Sequence, residues 1–160
     1  MEKIGFYAGS FDPFTNGHLH VVKVSSLLFD KVIIGIGINP TKKRRFETNT
    51  MLQAIKETVK SEGLSNVEVI SYDNLSVTTA LKHNCSFLIR GIRNGMDYDF
   101  EETLASFNEE VSGLDTIYIR AGNVGPLNST MIMDLLRNNV DVSKFLPKEI
   151  IKCIKNYNIN

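Results

Sequence analysis

Five short runs of apolar, β-rich sequence alternate along the chain with longer segments of helical pattern, and this alternation constrains the fold more than any other feature. The runs fall at 4–8, 32–38, 67–70, 87–89 and 116–119, and helices are expected near 17–28, 49–62, 77–83, 98–112, 129–137 and 147–157. Several of the strands are apolar on both faces, the pattern of a parallel sheet covered by helices on each side. The chain therefore reads as α/β, a doubly wound, Rossmann-like, five-stranded parallel sheet with helices on both faces. No repeat, low-complexity tract or long linker divides the 160 residues, so one domain over 1–160 is expected. In such a sheet ligands bind beyond the carboxyl ends of the strands. The residues just after Ala8, Ile38, Ile70, Ile89 and Ile119 are thus the first places to look for chemistry.

Charge and cysteine content narrow the classes. Lys+Arg and Asp+Glu balance at 18 each, without the basic excess of a protein that holds many nucleic-acid phosphates, so no nucleic-acid partner is expected. Cys85 and Cys153 belong to no CxxC or Cys/His cluster, which argues for reduced thiols and against a structural zinc site. The N-terminus lacks a signal-peptide layout, and no apolar run reaches the ~18 residues of a membrane span. A cytoplasmic protein without a membrane partner is expected. His20 and His83 have no metal partner at ligand spacing, and no metal site is expected.

The most informative segment is Gly9-Ser10-Phe11-Asp12-Pro13-Phe14-Thr15-Asn16-Gly17-His18, which follows the first strand and opens the first helix. Gly9 permits a close backbone turn past a ligand, and Pro13 fixes a bend. Gly17 leaves room over a helix start, where free N–H groups and the dipole favour an anion. His18 then falls in the first turn with its imidazole toward that anion, and the Ser10 hydroxyl and N–H close a phosphate cradle from the opposite wall. The bland alternative is a strand–turn–helix in which Asp12 and Asn16 make local turn bonds.

The whole string resembles the signature of the nucleotidyltransferase superfamily that carries an (H/T)xGH motif, with Thr15 in the first place. Within it, the segment is similar to the phosphopantetheine adenylyltransferase family. The resemblance implies adenylyl transfer from ATP to 4′-phosphopantetheine, giving dephospho-coenzyme A and pyrophosphate. It assigns catalysis to His18, Lys42, Arg93 and Ser10. Lys42, in Asn39-Pro40-Thr41-Lys42-Lys43, takes the place of a phosphate-binding lysine, whereas Arg44 and Arg45 stand where the family has a proline and an apolar residue. Leu88-Ile89-Arg90-Gly91-Ile92-Arg93 matches Ile-Arg-Gly-Leu-Arg, with Arg90 implied on the acceptor side and Arg93 on the ATP phosphates. An arginine pair so close to a buried strand is costly unless it meets anions.

By the same resemblance, ATP is implied at Ser10, Phe11, His18, Gly91, Ile92, Arg93, Glu101, Val124, Gly125, Pro126, Leu127, Asn128, Ser129 and Thr130. The acceptor is implied at Ser10, Lys42, Ser76, Arg90, Leu104 and Asn108. Asn128 replaces a serine of the family pattern, and helix capping by Asn128 or Ser129 accounts for that segment equally well. Tyr72-Asp73-Asn74, Phe100 and Val140 also depart from the pattern. Mg²⁺ is expected to arrive with ATP. A homohexamer and feedback by coenzyme A follow from the resemblance alone. Three other readings stay open: an adenylyl- or cytidylyltransferase for another phosphorylated acceptor, a relative of a class I aminoacyl-tRNA synthetase, and a non-catalytic nucleotide-binding domain.

Overall fold

The computed structural model describes residues 1–121 and 127–155. Its strands are β1 (Ile4–Gly9), β2 (Lys31–Gly37), β3 (Val67–Tyr72), β4 (Phe87–Ile92) and β5 (Asp115–Arg120). They alternate with α1 (Asn16–Leu28), α2 (Thr48–Ser61), α3 (Ser76–Lys82) and α4 (Gly95–Ser112), and α5 (Ser129–Arg137) and α6 (Lys148–Lys155) follow. All pairings are parallel, in the order β3-β2-β1-β4-β5. The order reverses between β1 and β4, so the crevice beyond their carboxyl ends is the expected ligand position.

Alternation along the strands builds two cores. On one face Tyr7, Val32, Ile34, Ile36, Ile89 and Ile119 pack against α1, α2, α5 and α6. On the other, Ile4, Phe6, Ile33 and Leu88 meet Val77 and Ala80 of α3. The second core is the thinner, and α4 lies over its outer part without burying any of its described residues. The doubly wound expectation is thereby met in strand number, direction and two-sided cover. Among the described residues, no helix is long and apolar enough to cross a membrane.

Several boundaries differ from the sequence reading by a residue or more, and three of them bear on the site. Arg90 lies inside β4 rather than after it, because the strand continues to Ile92 against Arg120 of β5. Helix α4 starts at Gly95, three residues early, because the Asn94 side chain caps it by accepting from the Asp97 N–H at 3.0 Å. Strand β2 ends at Gly37, although the Ile38 N–H still reaches Tyr72 O at 2.8 Å.

Candidate active site

Helix α1 is opened by a capping box with an unusual member. The Thr15 hydroxyl accepts from the His18 N–H at 3.3 Å, and the Thr15 N–H donates back to His18 Nδ1 at 3.0 Å. Glutamate or glutamine ordinarily fills the position of His18. An imidazole nitrogen that accepts from a backbone N–H has no proton of its own, so the neutral ring carries its proton on Nε2. The ring is enclosed by Phe11, Phe14 and Tyr7, with centroids 5.0, 5.5 and 6.5 Å away. Burial, and after it Arg93 and Arg90, pushes the His18 pKa down to about 4. His18 is therefore a neutral donor at physiological pH.

Around it lies a cavity of about 260 Å³ walled by the end of β1, the first turn of α1, the β4 end and the start of α5. Ser10, Phe11, His18, Gly91, Arg93, Glu101, Leu127, Asn128 and Ser129 line it, with Tyr7, Thr15, Gly17 and Val21. Ile92 and Thr130 stand outside its wall, and Val124, Gly125 and Pro126 fall outside the described residues. Asn128 is the N-cap of α5, its Oδ1 accepting from Met131 N–H at 2.8 Å, while Ser129 Oγ donates to Pro13 O at 2.8 Å.

A second cavity, of about 620 Å³, opens on the β2–β3 side of β1 and is lined by Ser10, Pro40, Asp73, Asn74, Ser76 and Arg90 among others. A third of about 140 Å³ continues from it between the sheet and α4, lined by Ser76, Arg90, Glu101, Leu104, Ala105, Asn108 and Thr116. Ala8, Gly9, Ser10 and Arg90 border both of the larger cavities, so the two meet at the motif.

Both arginines of β4 and its exit meet anions of the protein itself. Arg90 is held by both oxygens of Glu101, at 2.8 Å from Nη2 to Oε1, and donates from Nη1 to Ala8 O at 3.1 Å. Burial works against its charge, but the Glu101 bonds outweigh it and leave the Arg90 pKa raised. Arg93 pairs with Asp97, Nε to Oδ2 at 2.9 Å, and this bond holds the Asp97 carboxyl below the usual range.

Lys42, Asp12 and Asn16 take places that the sequence alone does not show. Lys42 lines none of the three cavities and lies exposed on the loop after Pro40, where its N–H closes a turn on Asn39 O at 3.1 Å. Asp12 and Asn16 do not make local turn bonds. The buried Asp12 carboxylate accepts from the Arg45 and Phe46 N–H groups at 2.8 and 3.0 Å, and Asn16 Nδ2 donates to Lys144 O at 3.0 Å. Arg44 and Arg45 stand out in the sequence as departures from the family pattern, but their bonds to the motif loop do not.

Comparison with known proteins places this geometry in a class. The cytidylyltransferase-like family model matches residues 6–135, which makes the chain a nucleotidyltransferase. A Bradyrhizobium diazoefficiens phosphopantetheine adenylyltransferase is 37% identical over 97% of each chain. One from Streptococcus uberis is 36% identical over 98% of this chain and 95% of its own. The chain belongs to the phosphopantetheine adenylyltransferase family. The fold is shared more widely. A Vibrio parahaemolyticus structure described as a candidate nicotinate-nucleotide adenylyltransferase aligns with TM-score 0.72 at 19% identity, covering 98% of this chain and 93% of that one. A bifunctional NMN adenylyltransferase/ADP ribose pyrophosphatase from Francisella tularensis aligns with TM-score 0.72 at 18% identity, covering 97% of this chain and 49% of that one.

Proposed function

We propose that the chain transfers the adenylyl group of ATP to 4′-phosphopantetheine, giving dephospho-coenzyme A and pyrophosphate. The observation that carries this reading is the pair of larger cavities joined at Ser10 and Arg90; in this reading each takes one anionic substrate and the reacting phosphates meet at the junction. An oxygen of the acceptor phosphate forms the new bond to the α-phosphorus. The bond from the α-phosphorus to the bridging oxygen breaks, and pyrophosphate leaves with that electron pair. The nucleophile is already anionic, so no general base is needed, and the reaction depends on positioning and on stabilising the oxygens of the transition state.

His18 supplies an Nε2–H donor to the α-phosphate or the bridging oxygen. The free N–H groups at the start of α1 and the Ser10 hydroxyl complete the cradle. Arg93 meets the ATP phosphates in exchange for Asp97. Mg²⁺ enters as the ATP complex, and Lys42 meets phosphate from its exposed loop. Ser76, Leu104 and Asn108 hold the acceptor's arm, and coenzyme A, which shares that arm, is the feedback ligand for the same cavities. The protein works in the cytoplasm.

The assembly is a homo-oligomer, a hexamer on the family pattern. Met96, Phe100, Leu104, Phe107 and Val111 of α4 support this, because at 100° per residue they form one stripe and are 84, 66, 40, 58 and 54% exposed.

The acceptor is tested by mass spectrometry of products from Mg-ATP with 4′-phosphopantetheine, nicotinate mononucleotide or a phosphorylated alcohol. Dephospho-coenzyme A from the first alone is the expected outcome. Asp73 and Asn74, which line the acceptor cavity and depart from the family pattern, make the panel necessary. Adenylylation of a different acceptor in preference would overturn the assignment while leaving the ATP cavity in place.

A further inference from the structure

The motif loop between β1 and α1 is held from behind by two arginines of the β2–α2 loop. Phe11 sits in the left-handed region, at φ 44°, an uncommon and unfavourable conformation for a bulky side chain that needs support from its surroundings. That support comes through the loop's carbonyl groups. Ser10 O accepts from Arg44 Nη1 at 2.8 Å, and Asp12 O accepts from Arg45 Nη1 at 2.8 Å. Arg44 Nε also donates to Phe46 O at 3.0 Å, and Arg44 Nη2 lies 3.8 Å from the Asp12 carboxylate. The other arm of Arg45 crosses to α5, where Nη2 donates to Thr130 Oγ1 at 2.9 Å.

We propose that Arg44 and Arg45 are positioning residues for nucleotidyl transfer, fixing Ser10 and the motif loop against the start of α5 so that the two walls of the first cavity keep one separation. The inference rests on the adenylyl-transfer reading. Four of the five nitrogens named here donate to protein oxygens, the fifth, Arg44 Nη2, is buried beside the Asp12 carboxylate without a hydrogen bond among the described residues, and the Arg44 side chain is only 16% exposed, so the pair faces the loop and not the substrate phosphates. The geometry needs guanidinium groups. A planar fork spans Asp12 O and Thr130 Oγ1 at once, which a point-charge ammonium cannot do. Arg45 acts where the family pattern has an apolar residue, so the tie belongs to this chain and not to the common site.

The test is steady-state pyrophosphate release by Arg45→Met and Arg45→Lys, with a thermal melt of each to confirm folding. Displacement of aligned reactants by about an ångström costs up to ~10²-fold in rate, so Arg45→Met is expected to lose about tenfold or more in kcat. Its KM for Mg-ATP is expected to stay within about twofold of wild type. Arg45→Lys, which keeps charge and stem, is expected to recover only part of kcat, and it carries the test alone if the methionine variant does not fold. A raised ATP KM with unchanged kcat, restored by lysine, would make Arg45 a phosphate ligand and overturn the proposal. Unchanged kcat and KM in both variants would also overturn it. If wild type releases no pyrophosphate with 4′-phosphopantetheine, the acceptor assignment fails instead, and the same comparison is made with the phosphorylated acceptor that supports release.

Discussion

At the scale of the residue, the account turns on one proton. The Thr15 N–H fixes the His18 tautomer, and the surrounding aromatic rings keep the imidazole neutral, with a pKa of about 4. The folded value lies below the ordinary 6.5, so folding favours the unprotonated ring. The resulting stability is complete above about pH 6.5 and is lost as pH falls toward the folded value, because only the unfolded chain binds the proton in that window. Acidification from pH 7 to 4.5 is therefore expected to lower the melting temperature of wild type more than that of His18→Gln. Nitrogen-15 NMR should show Nε2–H across the neutral range, whereas titration near 6.5 would contradict the assignment. The ten-residue motif made His18 legible in the sequence because its chemistry is contiguous. Its tautomer was not, since a histidine in a capping box reads like any other first-turn residue until the Thr15 geometry is seen.

At the scale of the element, α4 sets two tasks against each other. Its inner side supplies Glu101 to Arg90 and Asn108 to the cavity between the sheet and α4, Leu104 stands at the edge and reaches both that cavity and the stripe, and Met96, Phe100, Phe107 and Val111 stay bare. Phe107→Glu is expected to shift the protein to smaller species in light scattering at μM concentration, because it would place a charge in the middle of the proposed interface, which must be desolvated. An unchanged mass would remove α4 from the assembly surface. The helix itself was legible, but its first turn was not, because Asn94 acts through a side-chain cap and Arg93 is fixed by Asp97 from inside the helix. Arg90 misled for a related reason. An arginine reads as the end of an apolar strand, and only pairing with β5 and the Glu101 carboxylate allow the strand to run through it.

For the whole molecule, the sheet is what holds the motif against the rest of the site. Gly35 of β2 lies under the buried Phe6 of β1, and a Cβ there would fall 2.5 Å from Phe6 Cζ and 2.9 Å from Tyr72 Cε1. Gly35→Ala is expected to cost about 1–3 kcal/mol in denaturant unfolding by overpacking, and to slow turnover because β1 carries the motif. The fold class was legible because apolar runs and helical segments alternate cleanly. The junction of the cavities was less so, since it joins residues of β1, β4, α3 and the β2–β3 side of the sheet that only the strand order brings together. The most direct test is pyrophosphate release from Mg-ATP, with and without 4′-phosphopantetheine, by wild type and His18→Ala. Release that requires the acceptor, and falls about 10²–10³-fold in the variant with little change in ATP binding, is the predicted result. Near-normal turnover by His18→Ala would contradict the account.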